Sequence, residues 1–553
     1  MKSDTGSSSI GVLPDIDTLS LAEQVAQMVV VRASGYLFDH QIQYPAWEPP
    51  AATLQHWLQN LGIGGAILMG GSAAELALRS QQLQSWAKIP LLISADIEEG
   101  VGQRFAGATW FPPPMALSAI AAKNPSLAQH YAEQMGAITA SEALAIGINW
   151  VLAPVVDVNN NPDNPVINVR AFGETPDSVS HLATAFIRGA QHYPTLTTAK
   201  HFPGHGDTAV DSHLHLPVLP HSPERLAEIE LPPFAAAIAA GVDAVMSAHL
   251  LIPALDADRP ATLSKRILTT ELRENLGFEG LIVTDALVMG ALANQYGANV
   301  APVLALEAGA DILLMPVDPA GAIQAVCDAV ANGRISKSRI RESVERIWKA
   351  KQKVFSLSQS GEVGETSPPP IQDSLALLAQ PVALTQAADI LRESQIVKGS
   401  VPLPAEPPTP HHKLRNIIVV DDALACDFLG RQAPAIAYPQ QLGYELQLID
   451  CHTPSTPAAG DSQMLSSILL QLFIRGNPFR GSAGLAQLAQ DFLNKFFLTG
   501  ELQALVIYGS PYCLQQLSPT LPSDIPCIFT YGQMPDAQSC ALKVLFGADR
   551  LGA

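Results

Sequence analysis

The chain is short of charge, and shorter still of positive charge. Only 15% of its 553 residues are Asp, Glu, Lys or Arg, and 51 acidic side chains stand against 32 basic ones, a net charge of −19. Phosphate backbones and anionic membranes repel such a polypeptide, which argues against nucleic-acid and membrane partners. Cysteine is also scarce. The six, at positions 327, 426, 451, 513, 527 and 540, form no CxxC pair, which disfavours zinc ribbons and redox motifs and predicts mostly buried, reduced thiols. No uninterrupted apolar run reaches the ~18 residues that span a bilayer, and MKSDTGSSSIGVLP lacks the apolar stretch of a secretory leader, so a cytoplasmic location is expected. No repeat of fixed period is present.

What the chain has is apolar material: 48% of the residues are hydrophobic, and the length predicts two domains, one of them a large barrel. Eight short apolar runs alternate with helical patterns through the first two thirds: QMVVVRA, GGAILMG, PLLISAD, INWVLAPVVDV, TLTTAKHF, AVMSAHLLI, LIVTDAL and ADILLMP. Parallel strands covered on both faces read as continuous runs of this kind, and eight strand–helix units predict a (β/α)8, TIM-like barrel over 10–355. Asp96, Asp157, Lys200, His201, His249 and Asp285 fall where these runs end. In a barrel that places them around one pocket at the carboxyl ends of the strands, although polar residues also mark strand ends generally. The polar, Pro-rich stretch SLSQSGEVGETSPPPIQDS opens a linker over 356–413 that carries a helix. Residues 414–553 then read as a smaller αβα sandwich. Its predicted order is RNIIVVDD, a helix, LQLID, two amphipathic helices, ALVIYGS, PCIFTYG and a last helix.

The densest polar segment is AKHFPGHGDTAVDSHLHLP, 199–217. Pro203, Gly204 and Gly206 rule out a regular helix, so this is a shaped loop. A metal reading uses His201 and His205, four apart, and the HxH of His213 and His215. The four-residue spacing aligns two imidazoles only on a helix, which the loop forbids. An acid/base reading pairs Asp211 with His213, two apart: a carboxylate orients an imidazole and stabilises its cation, and histidine can protonate a leaving oxygen and later deprotonate water. His205 and His215 taken singly also suit structural hydrogen bonding. Asp285, ending an apolar run, is either a carboxylate able to attack an anomeric carbon or the cap of the following helix.

Together, KHFPGHGDTAVDSHLHLP and LIVTDALVMGAL resemble family 3 glycoside hydrolases. Within them they are similar to the bacterial β-N-acetylglucosaminidases that use a loop Asp–His pair. The resemblance runs through nearly all of 20–350. It implies Asp285 as nucleophile, His213 as acid/base and Asp211 as its orienting partner. It further implies sugar contacts from Lys200, His201, Arg170 in NVRAFG, and Asp96 and Arg104 in DIEEGVGQRF. In this last segment Glu99 and Val101 replace the family's usual glycine and arginine. The second domain is similar to the family's αβα domain only through SPYCLQQL and TYGQMPDAQSCALKVLFG.

The resemblance implies a retaining exo-β-N-acetylglucosaminidase that acts on N-acetylglucosaminides, with muropeptide fragments as natural substrate, and that needs no metal or organic cofactor. A β-glucosidase or β-xylosidase, a phosphorylase using phosphate in place of water, a metal-dependent hydrolase and a non-catalytic sugar-binding protein stay open at this point, as does the oligomeric state.

Overall fold

The computed structural model describes residues 13–211, 215–355, 371–404, 412–453, 465–476 and 483–550. Among them the chain divides into two compact units, 1–109 with 132–158 and 174–381, and 110–131 with 159–173 and 382–553.

The first unit is built on eight parallel strands: β1 (Val29–Ser34), β2 (Gly65–Met69), β3 (Leu92–Ala95), β4 (Trp150–Val151), β5 (Leu196–Phe202), β6 (Ala244–Ser247), β7 (Leu281–Val283) and β8 (Leu313–Leu314). They pair in the order β7-β6-β5-β4-β3-β2-β1-β8, and a parallel bridge from Val283 to Ile312 joins the two ends into a ring. This is a TIM-like barrel, as the eight apolar runs predict. Each strand is buried along nearly its whole length because helices cover one face and side chains fill the other. The helices begin where the sequence supplies caps. Ser20 with Glu23 and Ser72 with Glu75 form reciprocal capping boxes, which satisfy backbone donors that the first turn leaves without partners.

The second unit holds a six-stranded sheet of order β11-β10-β12-β13-β14-β9, made of β9 (Ile396–Lys398), β10 (His412–Val419), β11 (Glu445–Ile449), β12 (Leu465–Ile474), β13 (Leu502–Gly509) and β14 (Cys527–Thr530). Only β9 runs antiparallel. Two local expectations are corrected here. Of the two amphipathic helices predicted between LQLID and ALVIYGS, one is strand β12, in the interior of the sheet. The other is the helix Ala483–Leu498. The run SSILLQLFI is buried on both faces and its one long polar side chain is satisfied there. Gln471 Nε2 donates to Asn416 Oδ1 and the Ala435 carbonyl, each at 2.7 Å, and Tyr508 Oη donates to Gln471 Oε1 at 2.9 Å. The cysteines are all free, but only Cys513 and Cys527 are buried, where burial pushes their thiols up to about 12 and about 11, whereas Cys451 is exposed.

One buried cation lies below the barrel's chemistry. Lys351, on the helix Lys337–Phe355, has no exposed surface and, among the described residues, donates to the neutral Gln27 Oε1, at 2.6 Å. Burial pushes its ammonium down to about 7. Above pH 7 the folded chain then holds a neutral amine there while the unfolded chain still binds a proton, so folding gains stability as pH rises toward the ordinary lysine value. Lys351→Met removes that gain. The stability advantage of Lys351→Met over wild type should be largest near pH 7 and shrink by about 1.4 kcal/mol per pH unit up to pH 9, read by urea denaturation. A constant difference would mean that Lys351 titrates normally.

Candidate active site

The polar residues singled out at the strand ends do sit at the carboxyl ends of their strands. Asp96 follows β3, Asp157 follows the end of β4, Lys200 and His201 end β5, His249 follows β6 and Asp285 follows β7. Register ties three of these strands together, since Lys200 lies level with Met246 of β6, and Met246 with Val283 of β7. Beyond that level the Asp285 N–H donates to the Ser247 carbonyl at 3.2 Å.

Lys200 is the centre of one cluster. Its ammonium is 1% exposed and lies 2.7 Å from Asp96 Oδ1 and 2.6 Å from Glu98 Oε1. A lone buried ammonium would cost several kcal/mol, so the two carboxylates are what allow it to stay charged inside the barrel. The same contacts hold Asp96, which is 27% exposed and able to meet a ligand. Arg104 also holds this segment, its Nε donating to the Asp96 carbonyl at 3.0 Å.

Asp157 organises the second cluster. Its Oδ1 accepts the backbone N–H of His201 at 3.1 Å and of His205 at 2.7 Å, and its Oδ2 accepts His201 Nδ1 at 2.8 Å. The carboxylate therefore assigns the proton of His201 to Nδ1 and leaves Nε2 as the acceptor of the neutral ring. A register shift between Lys200 and Phe202 inserts His201 as an extra residue in β5, and this bulge re-aims consecutive side chains toward two different carboxylates. Asp157 was visible in the sequence only as a polar residue at a strand end, and Glu98 only as one letter of a motif. Neither was among the predicted sugar contacts.

The loop after β5 is anchored in its first half. Gly204 has φ +132°, and a side chain there would meet Glu230 Cβ at 2.7 Å, so both the backbone conformation and the close approach require glycine. Glu230 is buried against Arg225, at 2.7 Å, and burial raises its carboxyl above the usual range. Asp207 joins the same anchor through His221 Nε2 at 3.0 Å. His205 is buried, with Nδ1 2.8 Å from Thr208 Oγ1. Burial pushes its imidazole down to about 4, against the opposing pull of the Asp157 and Asp285 carboxylates, so it is neutral at pH 7. Asp211 is buried at the loop's far end, where its main-chain carbonyl accepts the His215 N–H at 3.0 Å. His213 lies outside the described residues.

Asp285 is half-buried, and its Oδ1 accepts the N–H of Ala286 at 2.7 Å. His249 supports the same turn: its Nε2 donates to the Ala286 carbonyl at 3.1 Å. A carboxylate held in this way at a barrel mouth, near a lysine–carboxylate cluster and an oriented imidazole, has the components of a polar pocket for a neutral hydroxylated ligand.

Residues 20–350 match the model of the glycosyl hydrolase family 3 N-terminal domain, and residues 408–547 match the bacterial glycosyl hydrolase family 3 C-terminal domain. The chain belongs to glycosyl hydrolase family 3. Among its relatives, a beta-hexosaminidase A of Pseudoalteromonas piscicida is 34% identical over 362 residues, or 59% of this chain and 60% of that protein. A Cellulomonas fimi protein named beta-N-acetylglucosaminidase/beta-glucosidase is 30% identical over 70% of this chain and 68% of its own length. In structure the chain is similar to a family 3 beta-N-acetylglucosaminidase of Paenibacillus sp., with a TM-score of 0.76 at 30% identity over 97% of this chain and 98% of that one. The chain thus spans less than two thirds of the Pseudoalteromonas relative and nearly all of the Paenibacillus one.

Where the sequence departs from the family pattern, both replacements are buried. Val101 has no exposed surface, and neither has Glu99, whose N–H donates to Gln103 Oε1 at 3.0 Å. Arg170 falls in the second unit, in the stretch 159–173, where its Nη1 donates to the Val166 carbonyl at 3.0 Å. Among the described residues, no helix is long and apolar enough to cross a membrane.

Two outcomes follow from the charges of this family 3 barrel. Lys200→Met leaves Asp96 and Glu98 without their shared cation and should destabilise the fold by about 3–5 kcal/mol, read as a lowered denaturation midpoint. His205 acts on pH dependence. Between about pH 6.5 and 4 the unfolded chain takes up a proton on this imidazole and the folded chain does not, so stability falls with pH across that window and levels off below it. Wild type should lose up to about 3 kcal/mol more than His205→Gln over that range, and equal slopes would mean an ordinary, solvated imidazole.

Proposed function

We propose that this family 3 protein is a retaining exo-β-N-acetylglucosaminidase that removes terminal non-reducing N-acetylglucosamine through a glycosyl-enzyme on Asp285. The observation that carries the reading is the position of the Asp285 carboxylate. It is half-buried at the carboxyl end of β7, on the same end of the barrel as the Lys200–Asp96–Glu98 cluster and the Asp157–His201 pair.

In the first step a carboxylate oxygen of Asp285 bonds to the anomeric carbon as the bond to the leaving oxygen breaks, and His213, steadied by Asp211, delivers a proton to that oxygen. In the second, His213 takes a proton from water, the water oxygen bonds to the anomeric carbon, and the Asp285 ester is released with the configuration retained. Lys200, Asp96 and His201 are assigned to the sugar hydroxyls. A paired ammonium and carboxylate supply donor and acceptor side by side, and His201 Nε2 adds an acceptor. Arg104 and Arg170 are assigned to the sugar on the motif resemblance alone. The barrel over 10–355 is assigned the chemistry, 414–553 the role of the second domain, and 356–413 that of a linker, which also lends β9 to the second domain's sheet. Muropeptide-derived fragments are the natural substrate we assign, in the cytoplasm, and no metal or organic cofactor is assigned a role.

The name of the Cellulomonas relative joins N-acetylglucosaminidase and glucosidase activity, so a second reading is that this pocket accepts glucosides as well. Nitrophenyl N-acetylglucosaminide and nitrophenyl glucoside, compared at equal concentration, separate the two. Asp285→Ala should lower turnover of the former by at least about a thousandfold. His213→Ala should slow the glycosylation step by about 10²–10⁴ for a poor leaving group and far less for nitrophenol. Full activity in Asp285→Ala, or equal loss for both leaving groups in His213→Ala, would overturn the mechanism.

A further inference from the structure

The first unit carries a second concavity, away from the carboxyl ends of the strands. It is a cleft of about 700 Å³ in the helical layer, lined by parts of the helical segment Arg266–Asn275, the end of the helix Val300–Ala308, the turn at 333–336 and the helix Lys337–Phe355. It extends to the amino-terminal end of the barrel, since Arg273 donates to the carbonyl of Gly280, which precedes β7, and pairs with Asp311, which precedes β8. Asp285 lies beyond the opposite end of β7.

In a chain with 51 acidic and 32 basic residues, six cations line this cleft: Arg259, Lys265, Arg273, Arg334, Arg339 and Arg346. Two acidic side chains, Glu307 and Glu342, share the lining. One function of the arginines is plain. The fully buried Asp311 carboxylate takes Arg273 at 2.7 Å, Arg346 at 3.1 Å and Arg339 at 3.3 Å. One guanidinium neutralises one carboxylate, so three around Asp311 exceed what its burial requires. Arg334 is paired elsewhere, with Glu307 at 2.6 Å, and Lys265 is exposed. Even with Asp311 counted, cations outnumber anions by three. A surplus of this kind gathered in one concavity of an acidic chain attracts a small anion.

We propose that this cleft binds a small phosphate ester. The charge surplus suits a phosphate dianion better than a single carboxylate. The volume suits a molecule of metabolite size, well above what an inorganic ion fills. The site is separate from the glycosidase chemistry and does not depend on it.

Isothermal titration of the full-length protein with inorganic phosphate, a hexose 6-phosphate and citrate tests the assignment. Arg334→Ala and Lys265→Ala serve as the variants, because both side chains are solvent-accessible and neither bonds Asp311. The expected result is saturable binding of the ester at least tenfold tighter than inorganic phosphate. Each variant should weaken it at least fivefold, with the melting temperature and the hydrolysis of nitrophenyl N-acetylglucosaminide unchanged without ligand. Equal binding of ester and inorganic phosphate, binding of citrate as tight as the ester, affinity unchanged in both variants, or no saturable binding would each overturn the proposal.

Discussion

A carboxylate removed from water needs donors, and Asp157 has three: two backbone N–H groups and one ring nitrogen, all from the segment that leaves β5. That requirement ties the segment after β4 to the beginning of the loop that follows β5. It assigns the tautomer of His201, holds the His205 backbone and so places the path along which the chain runs toward Asp211. Truncating the side chain, as in Asp157→Ala, would leave all three donors unmatched in a buried site, at about 1–3 kcal/mol for each. Lys200 then completes the arrangement from the neighbouring position on the strand, drawing Asp96 and Glu98 in from β3. Two consecutive residues of one strand thus organise three strand ends.

Much of this is legible in the sequence. Buried parallel strands must be apolar throughout, so the eight barrel strands stand out as runs of Val, Ile, Leu and Ala, and a polar residue ending such a run is conspicuous. The second domain was harder to read for the same reason. SSILLQLFI is a buried strand, but its length and the spacing of its apolar residues suit a helix equally well. The partners that make Gln471 acceptable inside a sheet, Asn416 and Tyr508, are distant in sequence. β9 is three residues long and carries no pattern of its own; its pairing with β14 creates it.

The site was legible unevenly. Asp96, Lys200, His201 and Asp285 could be named because they belong to recognisable motifs. Asp157 could not be ranked above any other strand-end carboxylate, because its importance lies in accepting bonds from a loop some forty residues later. Glu98 was hidden by a different effect. A carboxylate next to a glycine-rich turn reads as an exposed loop residue, and only the buried ammonium opposite explains it. Glu99 and Val101, which break the family pattern, are accommodated in the interior, so the departure changes what packs under this turn while Asp96 keeps its place beside Lys200.

The additional residue in β5 has a consequence for which changes of length the protein can tolerate. Side chains alternate along a strand, so removing one codon at the bulge would restore regular pairing and reverse the parity of whatever follows it. Phe202, now packed against Phe234 with ring centroids 5.1 Å apart, would be directed away from its pocket. Insertions and deletions in this part of the gene should therefore be excluded from β5 itself, where the pairing with β6 makes the chain count its residues in twos.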